Sequence, residues 1–313
     1  VEKNMHKTYS IGIDIGGTNI KAALVCSDGT ISDRLKEPTG NKPVGVVNKL
    51  ISALYSRRPK DIRGIGVGVA GVIDNDSGVV LRSPNIGKLA GINLKDEIKK
   101  HYKTCIVVEN DANAAAYGEK CAGAGEKFKN FVMLTLGTGI GGGIVINDGL
   151  LPVAAEIGHM SINSNGTPCA CGNVGCLESY ASATAIINNA VSAIEKGEGG
   201  ILKGLHNGNF YKINAEDIYK AALEGDSLAR TALRDAGKSL GIGIANIINI
   251  LSPDAVILTG GLIGAWNIYV DFAVQEASKR ALKELYAKTR IIPSSLGEDA
   301  GIIGAAHLVF NES

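Results

Sequence analysis

The chain has no block of like charge. Its 32 lysines and arginines nearly balance 31 aspartates and glutamates, which argues against nucleic acid or a membrane surface as partner. No apolar run is long enough to span a bilayer. The least charged region, residues 239–253, is interrupted by Asn246, Asn249 and Pro253 and reads as a buried helix. Residues 1–8 are polar and hold no apolar centre of a signal peptide. There is no Walker A sequence: Gly237-Lys238-Ser239 has Ala232 where the leading glycine belongs, inside a helical pattern. Cysteine is sparse, with six in 313 residues, and Cys26, Cys105 and Cys121 lie apart in apolar runs. They read as buried thiols in a reducing cytoplasm. What remains is a chain that is 45% hydrophobic, long enough for two domains with their own cores. Glycine is abundant, at 41 residues concentrated near apparent strand ends, so the backbone is expected to approach ligands closely.

The other three cysteines fall in one stretch, residues 155–180. His159, Cys169, Cys171 and Cys176 make a Cys3His set, the composition of a structural zinc site with no open coordination position. Gly166, Gly172, Gly175 and Pro168 supply the turns that bring ligands so close in sequence onto one ion. The plainer alternative is three reduced cysteines that merely cluster. Glu156 and Glu178 flank the ligands. Each is either a solvated loop acid or, fixed by a metal-ordered loop, an acceptor for vicinal hydroxyls. With one ring nitrogen of His159 on the metal, the other is available to a fixed partner.

Taken in order, residues 9–15, 20–26 and, after a turn over 27–30, a stretch running to about residue 36 read as three strands joined by tight turns. The first turn, Asp14-x-Gly16-Gly17-Thr18, is either an ordinary glycine hairpin or an anion-binding turn. In the second reading its N–H groups face phosphate, and Asp14 holds Mg2+ through water. Helical periodicity covers residues 44–55 and a glycine-laced strand residues 62–69. The Gly64-x-Gly66-x-Gly68 spacing is no dinucleotide fingerprint, because no helix follows where one is required. Residues 70–84 read as a β excursion turning at 74–78 and ending in Ser83-Pro84-Asn85. A short strand, residues 105–109, leads through Asn110-Asp111 into an alanine-rich helix. Either Asn110 or Asp111 is the N-cap; alternatively Asp111 is a general base for a substrate hydroxyl.

Residues 130–136 form the next strand, followed by a turn over 137–143, Gly-Thr-Gly-Ile-Gly-Gly-Gly, and a strand over 144–147. This repeats the strand, glycine-threonine turn, strand order of the N-terminus. Beyond the cysteine stretch, helices are expected over 180–195, 215–223, 228–251, 273–286 and 301–309, with residues 197–208 as loop. Strands are expected over 255–258 and 290–293. The first of these ends in Thr259-Gly260-Gly261, a third glycine turn against which an adenine or ribose would lie.

Glu156-Ile-Gly-His159 with Cys169-x-Cys171-Gly-x-x-Gly-Cys176-x-Glu178, and Glu109-Asn-Asp-Ala-Asn-Ala-Ala115, resemble the zinc loop and catalytic segment of the ROK family of repressors, uncharacterised frames and sugar kinases. The resemblance runs from Asp14 to the last helix. It implies an α/β, two-lobed, actin/hexokinase-like (ribonuclease H-like) fold with the active site in the cleft between the lobes. The small lobe would comprise residues 1–118 with 297–313 returning to it, and the large lobe residues 119–296. It further implies that Asn85, Asn110, Asp111, Glu156, His159 and Glu178 bind sugar hydroxyls, Asp111 also taking the proton. Asp14, Gly16, Gly17, Thr18, Gly137, Thr138 and Gly139 would hold phosphates and magnesium, with Gly260 and Gly261 beside the nucleoside. The expected activity is ATP-dependent phosphorylation of a hexose 6-hydroxyl, glucose first, by a cytoplasmic homo-oligomer (dimer or tetramer) with structural zinc. The acetamido-sugar kinases of the family share the hydroxyl-binding residues, so N-acetylmannosamine and N-acetylglucosamine stand as the alternative. Family fructokinases usually lack the full cysteine spacing. One departure is Ala70-Gly71, where many family glucose kinases carry a proline-containing turn. Sugar-responsive repressors carry a helix-turn-helix, for which the residues before Tyr9 leave no room.

Overall fold

The structure, a computed structural model, describes residues 7–57, 61–83 and 85–312. Apolar and polar residues alternate in β1 (Tyr9–Ile15) and β3 (Ile31–Pro38), while β2 (Asn19–Cys26) between them ends in a continuous buried apolar run. Helix α1 (Pro43–Tyr55) starts on a proline, whose missing N–H needs no partner at that position, and buries Val47, Leu50, Ile51 and Leu54 on one face. Then come β4 (Ile62–Val69), the hairpin β5 (Val72–Asp74) and β6 (Val79–Arg82), and α2 (Leu94–Lys99), capped by Asn93. β7 (Cys105–Asn110) runs without a loop into α3 (Asp111–Ala122). β8 (Phe131–Leu136), β9 (Ile140–Ile146) and β10 (Gly149–Leu150) precede the cysteine stretch. The helical region holds α4 (Glu178–Ala181), α5 (Ala183–Glu195), α6 (Ile201–Gly204), α7 (Ala215–Leu223) and α8 (Ser227–Leu251). β11 (Ala255–Thr259), α9 (Asp271–Arg280), α10 (Lys283–Tyr286), β12 (Arg290–Pro293) and α11 (Ala300–Asn311) complete the chain.

Two units result. The first comprises residues 1–130, 143–155 and 294–313, the second residues 131–142 and 156–293. The expected boundary at residue 118 falls inside α3, which continues to Ala122.

In the first unit the sheet order is β3-β2-β1-β4-β7, with β4 and β7 parallel to β1 and the two hairpin partners antiparallel. Its core gathers fully buried Ile11, Ile13 and Ile15 with Leu50, Ile51 and Leu54 of α1. The other face of the sheet is covered by α11, which also packs on α3. Two glycines set that approach. A Cβ on Gly66 would stand 1.7 Å from the Ala305 carbonyl oxygen, and one on Gly304 1.6 Å from that of Ala114. The glycine spacing of β4 is therefore a packing device for α11. Buried Glu119 ties this corner, accepting from Ala124 N–H (2.7 Å), Ser294 Oγ (2.5 Å) and Leu296 N–H (2.9 Å).

The second sheet has the order β10-β9-β8-β11-β12, with β11 parallel to both β8 and β12. Every residue of β11 is buried, as a parallel strand covered on both faces requires. α8 packs against α9, α7 and α5. Fully buried Tyr269 donates its hydroxyl to the Ala181 carbonyl at 2.6 Å.

Several elements differ from their expected limits. β9 begins at Ile140, so the second glycine turn covers only residues 137–139. The expected helix 180–195 is two, because Ser182 is extended (φ −75°, ψ 164°) and caps α5 by accepting the Ala185 N–H. The helix 273–286 breaks likewise at extended Ala281 (φ −73°, ψ 152°). The expected loop 197–208 contains α6. Cys26 is buried, whereas Cys105 and Cys121 are half-buried. Pro84 lies outside the described residues. Gly237-Lys238-Ser239 sits within α8. Among the described residues no helix is long and apolar enough to cross a membrane.

Candidate active site

In the first unit the carboxyl ends of β1, β4 and β7 are level, with Asp14 opposite Gly68 and Gly68 opposite Glu109. In open α/β sheets this strand end is where ligands collect. The turn after β1 is closed by Gly16 N–H donating to Asn19 O at 3.0 Å. Thr39 then holds it from outside, its Oγ1 donating to Gly16 O at 2.7 Å and its N–H to Thr18 O at 3.0 Å. A Cβ on Gly17 would lie 3.3 Å from the Asn85 Cβ, so the structure brings a hydroxyl-binding candidate beside the candidate phosphate turn. Asn85 itself is exposed. Asp14 is half-buried; burial raises its pKa, the Lys21 ammonium lowers it and Glu298 raises it again. A cation bound there would favour the ionised form.

Asn110, not Asp111, is the N-cap of α3. It is extended (φ −61°, ψ 143°), and its side-chain oxygen accepts from Ala112 N–H at 2.9 Å and Asn113 N–H at 3.1 Å. Its amide donates to Gly71 O at 2.8 Å. Asp111 is thereby the first helical residue, half-buried, with Oδ1 accepting from the Ala112 N–H at 2.9 Å. A carboxylate in a helix's first turn is stabilised as the anion by the exposed N–H groups. Asp111 is also placed against the sheet: a Cβ on Gly68 would be 3.5 Å from its Cα.

In the second unit the turn over Gly137, Thr138 and Gly139 follows β8. Ala183 N–H donates to Gly137 O at 2.9 Å and Thr184 Oγ1 to Thr138 O at 2.7 Å. Glu178 Oε2 accepts the N–H of Ile140 at 2.7 Å, and a Cβ on Gly139 would stand 2.3 Å from that oxygen. Gly139 is thus glycine because the Glu178 carboxylate lies on it. Glu156 precedes the turn Ile157–His159; a Cβ on its Gly158 would meet Ile140 O at 2.1 Å. Ile140 thus meets both Glu178 and Gly158, the glycine between Glu156 and His159 in sequence. Gly260 is required by its positive φ of 98° and by the Leu136 carbonyl, 2.3 Å from where its Cβ would be, whereas around Gly261 there is open space.

The ligand atoms of His159, Cys169, Cys171 and Cys176 all lie within 4.8 Å of one another. Cys169 Sγ is 3.8 Å from His159 Nδ1, and Cys171 Sγ is 3.7 Å from Cys176 Sγ. The edges of a tetrahedron around Zn2+ with ordinary Zn–S and Zn–N bonds are about 3.6–3.8 Å, so these four donors fit a tetrahedral ion. Burial raises the Cys169 thiol, but the Cys171 N–H, the Ser179 hydroxyl and the neighbouring thiols outweigh it and bring it to about 6. Burial, with hydrogen bonds to the Cys169 and Cys171 thiols, pushes Cys176 up to about 12. His159 Nε2 faces Glu156 Oε2 at 3.8 Å, beyond hydrogen-bonding distance. Backbone bonds hold the loop, from Ile162 N–H to Gly175 O, Gly175 N–H to Thr167 O and Cys169 N–H to Asn173 O.

Thr39, Thr184, Asn75 and Glu109 escaped the sequence reading. Only Glu109 carried a signal there, as an acid closing an apolar strand (Cys105-Ile-Val-Val-Glu109), where a buried charge demands partners.

The chain matches the ROK family over residues 10–312. It is 35% identical to a glucokinase of Halalkalibacterium halodurans, covering 97% of this chain and 96% of that protein. It is 34% identical to the xylose repressor of Bacillus subtilis, covering 98% of this chain and 78% of the repressor. Among solved structures it is similar to a ROK glucokinase from Streptomyces griseus in complex with glucose and AMPPNP, with a TM-score of 0.83 and 33% identity over 97% of this chain and 99% of that one. The two sheets are those of the actin/hexokinase-like fold that such kinases share. The chain belongs to the ROK family.

Proposed function

We propose that the protein is an ATP-dependent hexose kinase that transfers the γ-phosphoryl group to the 6-hydroxyl of glucose. The observation that carries this is Asp111, a carboxylate at the strand–helix junction of a chain 35% identical to a glucokinase over 97% of its length. Asn85, Asn110 and Asp111 from the first unit, with Glu156, His159 and Glu178 from the second, bind the sugar hydroxyls. Asp111 accepts the 6-hydroxyl proton as the new P–O bond forms and the bond to the ADP oxygen breaks. Phosphoryl transfer asks little covalent work of the protein; positioning and charge neutralisation dominate. N–H groups of the turns at Gly16-Gly17-Thr18 and Gly137-Thr138-Gly139 face the phosphates, and Gly260 and Gly261 lie beside the nucleoside. Asp14 would hold Mg2+, which supplies charge neutralisation on the transferring phosphoryl group. His159, Cys169, Cys171 and Cys176 would hold Zn2+; four protein ligands leave no open position, so its part is to order the loop that carries Glu156 and Glu178.

N-acetylmannosamine or N-acetylglucosamine is the second reading of the substrate. Ala70-Gly71, where family glucose kinases often carry proline, keeps it in play. The 34% identity to a xylose repressor supports a third, a domain that binds sugar without turning it over.

A coupled ADP-release assay with MgATP and a panel of glucose, mannose, fructose and the two acetamido sugars tests the proposal. The ratio of kcat/KM values decides. Glucose is expected to lead. A lead for an acetamido sugar would move the substrate and leave the roles in place. Sugar binding with no turnover on any of them would overturn the kinase.

A further inference from the structure

A cavity of about 330 Å3 lies in the first unit, with Glu109 and Asn110 in its lining, the β5–β6 hairpin forming one part of the wall and residues 152–154 another. Across it runs a chain of hydrogen bonds that the catalytic assignment does not use. Asn75 Nδ2, from the hairpin turn, donates to Glu109 Oε2 at 2.7 Å. Glu109 Oε1 accepts from the Asn110 N–H at 2.7 Å and from Asn113 Nδ2 at 3.1 Å. Asn113 Nδ2 also donates to Val153 O at 2.9 Å. Glu109 is buried, with 7% of its surface exposed.

The chemistry of this cluster is one-sided. Three groups donate to Glu109 and an ionised carboxylate is acceptor-only, so acid and partners match. A glutamine of the same size would turn its NH2 toward at least one donor. Burial raises the Glu109 pKa, and the Asn113, Asn110 and Asn75 donors each lower it. A buried carboxylate is costly to keep unless its partners are fixed, and here two of them, the Asn110 N–H and the Asn113 side chain, lie on either side of Asp111 in the chain. Glu109 holds the hairpin through Asn75, while Asn110 holds it through Gly71 O.

We propose that Glu109 is a positioning residue: with Asn75 it locks the β5–β6 hairpin to the Asn110–Asp111 junction, so that the hairpin's place sets the aim of Asp111. The proposal rests on the reading of Asp111 as the base. Asn75 is exposed and sits in a turn, so its variants are expected to fold.

The experiment compares wild type, Asp111→Asn, Asn75→Ala, Asn75→Asp, Glu109→Gln and the Asn75→Ala/Glu109→Gln double variant, all with glucose and MgATP. Asn75→Ala and Glu109→Gln are each expected to lower kcat about tenfold at little-changed KM for ATP, the double variant being no worse than Glu109→Gln alone. In Asn75→Asp a second carboxylate meets Glu109, with Asp74 and Asp76 in the same turn adding negative charge. Its kcat relative to wild type is expected to rise as pH is lowered, because a proton on either carboxyl of the pair restores the missing donor. A loss from general instability would not follow pH in this direction. If Asp111→Asn is inactive while Asn75→Asp and Glu109→Gln match wild type across pH, this inference alone is overturned. If Asp111→Asn turns over like wild type, or wild type has no turnover, both it and the base assignment are overturned.

Discussion

The two glycine-threonine turns look alike in sequence and are held by different means. The first, over Gly16-Gly17-Thr18, is fastened by one residue of its own unit: buried Thr39 reaches it through its hydroxyl and its N–H. The second, over Gly137-Thr138-Gly139, is fastened by the start of the helical region, through Glu178, Ala183 and Thr184. Glu178 follows the metal-ligand candidate Cys176 by two residues. One turn therefore depends on a neutral, local contact. The other depends on a carboxylate at the start of α4, just after the cysteine loop. A repeated motif does not imply a repeated support, and the second turn is the one whose support follows the proposed zinc loop in sequence.

If the four donors hold zinc as proposed, stripping it should separate the two turns most. With a chelator we expect turnover to fall at least about 10²-fold, the scale on which small misplacements of reacting groups act. Amide exchange at Ile140 should rise more than about tenfold, as loss of a hydrogen bond to a charged acceptor allows, with residues 16–18 unchanged. Equal acceleration at both turns would erase the contrast.

Next in size is Gly139→Ala, whose Cβ would stand 2.3 Å from Glu178 Oε2. Either the turn or the carboxylate must move, and kcat/KM should fall by about 10²-fold with zinc content unchanged by elemental analysis. A fully active variant would show that the fit of Glu178 on the turn is irrelevant to the chemistry.

The first turn carries a different liability, Asp14. Its folded pKa lies above the ordinary 3.8, so the folded state binds this proton more tightly than the unfolded chain. The associated stability is therefore full below about pH 4 and is lost as pH rises through the raised value. Asp14→Asn should unfold at a higher temperature than wild type at pH 7 without ligands. The difference should vanish near pH 3.5, while magnesium-dependent turnover falls. A lower Tm at pH 7 would contradict the burial account.

Smallest is Thr39→Val, which removes the hydroxyl donor to Gly16 O. It should cost about 1 kcal/mol in denaturant unfolding and leave Ile140 exchange untouched. A change at Ile140 would mean that the two supports are not independent.

Most strands were legible because they are apolar stretches bounded by glycine turns, as in β1, β2 and β4. The clustering of His159, Cys169, Cys171 and Cys176 was legible because three thiols and an imidazole at such close spacing have few other uses. Helix breaks at Ser182 and Ala281 were not, since each residue is compatible with a helix and only its dihedrals, set by tertiary packing, reveal the interruption. The start of β9 was hidden because Gly141, Gly142 and Gly143 read as turn. Yet Gly143 faces α3, where a Cβ would meet Ala116 at 2.5 Å, and so is a strand glycine chosen for close packing. The supports at Thr39 and Thr184 were invisible, because a hydroxyl that reaches a distant carbonyl leaves no local pattern.

The central claim, that Asp111 takes the sugar's proton, is tested most directly by measuring Asp111→Asn for turnover and for glucose binding together. The account expects kcat to fall about 10²–10⁴-fold while the glucose Kd, read by titration calorimetry, stays close to wild type. Near-normal turnover in that variant would contradict it.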